Sequence, residues 1–131
     1  MTAASSTPLE EVPAEKIQEE LDRLLGDRET EVWLKVRSGM GETGGLILGP
    51  LQLNIERVGP QLKLVELCDV PNLGTAYRKH LGLLHLPGLT VVERGLDDKG
   101  AMVGLRLTFE HHPVIIAISE QLLKSLDSLA Q

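Results

Sequence analysis

NLGTAYRKHLGLLHL, residues 72–86, is the stretch on which the fold turns. Asn72 follows Pro71 and suits a helix N-cap, and Leu73, Ala76, Tyr77, His80, Leu81 and Leu84 then recur at helical spacing along one stripe. Pro87-Gly88 closes the segment. Taken as a helix, it divides the chain into a run of strands before it and another run after it.

Upstream, Gln61 to Cys68 is apolar on both faces at Leu62, Leu64, Val65 and Leu67, the pattern of a strand central in its sheet. Gly59-Pro60 separates it from Leu51, Leu53 and Ile55, which alternate with Gln52, Asn54 and Glu56. Before the glycine-rich loop Ser38 to Gly45, Glu31 to Arg37 sets Val32, Leu34 and Val36 against a polar face that carries Trp33. Ile17, Leu21, Leu24 and Leu25 mark an amphipathic helix opening near Pro13 and stopped at Gly26. Residues 1–12 are small, polar and acidic without a period, so a disordered arm is expected there, followed by one domain over 13–131.

Downstream, Leu89 to Gly95 and Ala101 to Glu110 read as strands joined by the turn Asp97-Asp98-Lys99-Gly100, and Val114 to Ile118 as a wholly apolar third strand. Ser119 is placed to cap a last helix bearing Leu122, Leu123, Leu126 and Leu129. The expected order is α-βββ-α-ββ(β)-α, an α+β fold with an antiparallel sheet of five to six strands.

Composition narrows function by exclusion. Thirteen Lys+Arg against 19 Asp+Glu give a net charge of -6, which disfavours phosphate backbones and anionic lipid, so neither nucleic acid nor membrane is expected as a partner. One cysteine, and a start without a basic, apolar leader, point to the cytoplasm. Gly39-Met40-Gly41-Glu42-Thr43-Gly44 satisfies G-x-G-x-x-G, yet Gly45, Pro50 and the alternation from Leu51 forbid the helix whose N-terminus would hold a pyrophosphate. His80 and His85 are five apart and diverge on a helix, and His111 and His112 diverge on a strand, so no metal set forms. His80, on the helix stripe, reads as a core residue. Cys68 beside Asp69 lacks the electropositive setting of a reactive thiolate. Asp97 and Asp98 read as turn formers, Glu93 and Glu110 as solvent-facing strand residues. No catalytic residue, cofactor or metal is expected.

What remains is apolar surface. Aromatics make up only 2% of the chain, too few to line a stacking site. Tyr77, Leu81, Leu83, Leu84 and Leu86 give the middle helix more apolar side chains than one buried face needs, and Trp33 sits on a polar strand face. These six are the candidate contacts for another polypeptide. In element order, length, acidity and leucine content, residues 13–130 resemble the secretion-chaperone-like fold of type III secretion chaperones. That resemblance implies a homodimer formed through the second helix, holding an extended client segment without catalysis. The apolar run Pro113 to Ile118 departs from it, towards roadblock and longin-type dimerising modules. A small-molecule-binding regulatory domain, with its cleft beneath Gly39 to Gly45, is the alternative.

Overall fold

The computed structural model describes residues 9–26, 31–37, 45–70, 75–110 and 112–128. It is an α+β protein of nine strands and two helices in those residues. A six-stranded antiparallel sheet has the order β1-β7-β8-β9-β2-β3, built from Leu9–Val12 (β1), Val32–Arg37 (β2), Gly45–Leu51 (β3), Leu89–Leu96 (β7), Met102–Phe109 (β8) and His112–Ala117 (β9). A second sheet, β4-β5-β6, comprises Leu53–Val58, Gln61–Val70 and Thr75–His85. Helix α1 spans Ile17–Leu25 and α2 spans Glu120–Ser128.

The expected order α-βββ-α-ββ(β)-α and its single sheet are therefore corrected. The decisive stretch is the strand β6, paired with β5 from Gln61↔His85 to Val70↔Thr75. The reason lies in β5. Apolar residues on both its faces mark it as a central strand, whose backbone N–H and C=O groups are paired along both edges; β4 lies along one and β6 along the other. Gly74, Thr75 and Gly82 also lower the helical propensity of the segment, with Gly costing about 1 kcal/mol in a helix interior. The order that carried the resemblance to secretion chaperones is not the order of this chain.

Two smaller differences concern charge and glycine. Part of the expected arm, Leu9–Val12, is a strand on the edge of β7, with Glu10 Oε1 accepting a 2.7 Å hydrogen bond from Arg94 Nη1. Glu10, one of the acidic residues read as a mark of disorder, has a cross-strand partner instead. The strand expected from Leu51 is two strands, β3 and β4, meeting at Gln52, and the first begins at Gly45.

Both helices stand where their stripes placed them. Ile17, Leu21 and Leu24 of α1 are buried, after a short 3-10 turn at Ala14–Lys16. Ser119 Oγ accepts the Leu122 N–H at 3.1 Å, capping α2. The larger sheet is the middle layer. Val32 and Leu34 of β2, Leu105 and Leu107 of β8, and Val114 and Ile116 of β9 point to a core shared with α1 and the smaller sheet through Leu53, Leu62 and Leu64. Ile115 and Ala117 point the other way, to Leu123 and Leu126 of α2. Burial on both faces explains why Val114 to Ala117 of β9 is wholly apolar.

Helix α2 sits on a notch. Gly95 and Gly104 are directly paired, and a Cβ on either would lie within 2.7 Å of Leu126. Lys35 of β2 is ion-paired with Asp127, and Arg106 Nη1 donates to the Leu126 carbonyl at 3.3 Å.

Candidate binding groove

Between the two sheets lies an open cavity of about 340 Å³, near the lower end of the roughly 300–1,000 Å³ of small-molecule sites. Leu81, Gly82, Leu83, Leu84 and His85 of β6 form one wall; Val36, Phe109 and Val114 of the larger sheet form the other, over Leu64 of β5. Its interior is apolar.

The wall is shaped by a β-bulge. Leu62 faces Leu84 and Leu64 faces Gly82, but Val65 faces His80, so Leu81 is an extra residue. Leu81 and Leu84 both pack against the core across this irregularity, although plain alternation would send residues three apart to opposite faces. Leu83 points outwards and is 51% exposed. At Gly82 an added Cβ would meet nothing within 4 Å, so the missing side chain leaves open space in the wall.

The rim is polar. Glu110 takes a left-handed conformation, φ 58°, in the turn between β8 and β9, and its N–H donates to the Gly88 carbonyl at 2.9 Å. A charged, non-glycine residue with positive φ is uncommon and strained by about 1–2 kcal/mol, and here it turns a carboxylate towards the groove mouth beside Gly88. His85 stands on the same rim, exposed. The groove thus offers an apolar floor, one carboxylate acceptor and one imidazole.

Beside the groove, β6 is an edge strand eleven residues long, with no neighbour on its outer side among the described residues. Lys79 and His80 on it are exposed. The expected contact residues Leu81, Leu83 and Leu84 come together here, and Leu86 packs against the core at the end of the strand. They do so as a strand and a turn, not as a helix. Tyr77 pairs with Cys68 in the ladder, and its side chain lies outside the described residues.

Trp33 does not join them. It lies on the opposite face of the larger sheet, packed against the α2 cluster and against Gly49, where a Cβ would fall 2.7 Å from the indole. Gly49 has φ 152°, a conformation that glycine tolerates.

The remaining candidates are dispersed. His80 is exposed on β6, not in the core, and Cys68 is half-buried with a long Sγ contact to the Glu66 carbonyl at 3.9 Å. Asp97 is the turn former expected, its Oδ1 accepting from Lys99 N and Ala101 N, both at 2.8 Å. Glu93, expected to face solvent, is held by Arg106 Nη2 at 3.0 Å and is mostly buried. The G-x-G-x-x-G loop and His111 lie outside the described residues, and the chain emerges from that loop into the strand β3, not a helix.

A second, smaller crevice of about 200 Å³ runs between α1 and β4, lined by Gln18, Asp22 and Asn54 over Leu21 and Leu53. Among the described residues there is no group of three or more metal-ligating side chains and no helix long and apolar enough to cross a membrane. Sequence periodicity missed the groove because it is a property of two sheets meeting; the signal that could have found it is the breakdown of helical regularity at Gly82, where an alternating reading of Leu81 to His85 is equally available. No protein-family model, curated protein or solved structure matches this chain.

Proposed function

We propose that this chain is a non-enzymatic polypeptide-binding module that takes an extended segment along β6, with an apolar side chain of that segment seated in the groove. The supporting observation is the juxtaposition of a long strand edge, open among the described residues, with an apolar cavity beneath its C-terminal half. An open edge gives affinity through main-chain hydrogen bonds, and pockets beside it give side-chain selection. Charge selects further. Lys79 and His80 precede the apolar part of β6, so the favoured segment carries acidic residues at one end and alternating aliphatic residues at the other.

Selection from a displayed library of random decapeptides tests this. Acidic-aliphatic sequences should be enriched, and their binding should be lost in Gly82→Leu, which fills the wall without meeting a neighbour in its first carbon. Failure to enrich any peptide, or enrichment indifferent to Gly82→Leu, overturns the reading. His85 and Glu110 on the rim favour a second reading, a small apolar ligand with one polar end. Native mass spectrometry of the purified protein would then show a bound small molecule that Gly82→Leu removes.

A further inference from the structure

The described strands leave four sheet edges, and three carry charge. On β1 stand Glu10 and Glu11, on β4 Glu56 and Arg57, and on β6 Lys79 with His80. Such residues disfavour pairing of an edge with its own copy, while Lys79 leaves β6 open to an acidic segment of another polypeptide. The fourth edge, β3, has none in its seven residues Gly45–Leu51. It presents Leu46 at 51% and Ile47 at 37% exposure, on opposite faces of the sheet.

The order of residues on that edge is also symmetrical. Gly45-Leu46-Ile47-Leu48-Gly49 reads the same in both directions. From these features we infer that β3 is the surface through which two copies of this chain associate, by antiparallel pairing about a twofold axis through Ile47. Each residue then meets its own kind or its mirror position: Ile47 opposes Ile47, Leu46 opposes Leu48, and Gly45 opposes Gly49. Side chains directly opposed in an antiparallel pair share a face, so the leucines of both copies lie together on one face and the two isoleucines on the other. Pro50 has no N–H to donate and ends the pairing.

Charge identifies the occupant. The chain carries a net charge of -6, so two copies repel over most of their surface, and the uncharged edge is where they approach without like charges facing each other. Self-pairing of β1 would instead bring the glutamates of both copies together. The contact is short, so the dimer should be weak, with dissociation in the micromolar range rather than the nanomolar. Leu46 is opposite Val36, a residue of the groove wall, so pairing through β3 makes the inner faces of the two large sheets one continuous surface with a groove on either side. This inference stands independently of what the groove binds.

Sedimentation velocity of the full chain, from low to high micromolar concentration, is the test. The wild type should pass from monomer to dimer, while Ile47→Lys and, separately, Leu46→Lys should remain monomeric throughout with unchanged circular dichroism. Leu83→Lys, on the charged edge β6, should dimerise like the wild type. A wild type that stays monomeric, open-ended polymers in place of a dimer, a dimer that survives both β3 substitutions, or loss of the dimer in Leu83→Lys would each overturn the proposal.

Discussion

Glu20 is 2% exposed, and Arg94 holds both of its carboxylate oxygens, Nε to Oε1 at 3.0 Å and Nη2 to Oε2 at 2.7 Å. With Glu10 on the third nitrogen, the guanidinium joins α1, β1 and β7, and the hydrogen bonds it donates to Glu20 raise its pKa above the ordinary arginine value. Glu20→Gln leaves a largely buried cation short of its partner and should cost about 3 kcal/mol in urea unfolding. Lys16→Ala, which breaks only the exposed pair with Glu19, should change stability by less than about 0.5 kcal/mol. Asp97 offers a pH-dependent counterpart. Hydrogen bonds from the Ala101 and Lys99 backbone lower its pKa below the ordinary carboxylate value, so its contribution to folding is complete above the unfolded pKa and is lost as pH falls through the lowered folded one. Asp97→Asn should be less stable than wild type at neutral pH, and the difference should vanish in acid once both side chains are neutral. Asp97 was legible in the sequence because a turn is a local object. Glu20 and Glu93 were not: their partners, Arg94 and Arg106, are distant in sequence or sit across a strand pair, and no local spacing reveals them.

At the scale of elements, the contact between α2 and the sheet rests on the paired glycines beneath Leu126. A methyl group on Gly104 would meet Leu126 Cδ1 at 2.6 Å and the Ile116 carbonyl oxygen at 2.7 Å. The leucine can turn aside, but the carbonyl belongs to a strand and cannot. Gly104→Ala should therefore cost about 1–3 kcal/mol through overpacking, whereas Gly82→Ala, with open space around it, should be neutral or slightly stabilising; thermal denaturation of the two variants makes the comparison. The same elements show what periodicity can and cannot carry. Helices α1 and α2 were readable because one apolar stripe defines each locally, with the Ser119 cap marking the start of α2. The segment 72–86 was not, because Leu81 and Leu84 satisfy a helical stripe as well as a bulged strand, and the choice is made by the unpaired side of β5. Likewise β3 was hidden within a glycine-rich stretch whose strand character comes from pairing with β2.

Across the whole molecule, most ladders join neighbours in sequence: β2 with β3, β4 with β5, β5 with β6, β7 with β8 and β8 with β9. The larger sheet needs two ladders between distant segments, β1 with β7 and β2 with β9, and the ion pair Lys35–Asp127 beside the second spans 92 positions. Meanders of this kind can assemble early, while a seam between distant segments must wait for the intervening chain to order, because loop closure is opposed by chain entropy before any contact compensates it. Ile116→Val, on the seam, should accordingly speed unfolding and leave the folding rate nearly unchanged, whereas a change in the β7–β8 turn such as Asp97→Asn should slow folding in stopped-flow measurements. Trp33 lies on that seam opposite Ala117 and is the single tryptophan of the chain. Its fluorescence is therefore a built-in clock for the last stitch of the sheet.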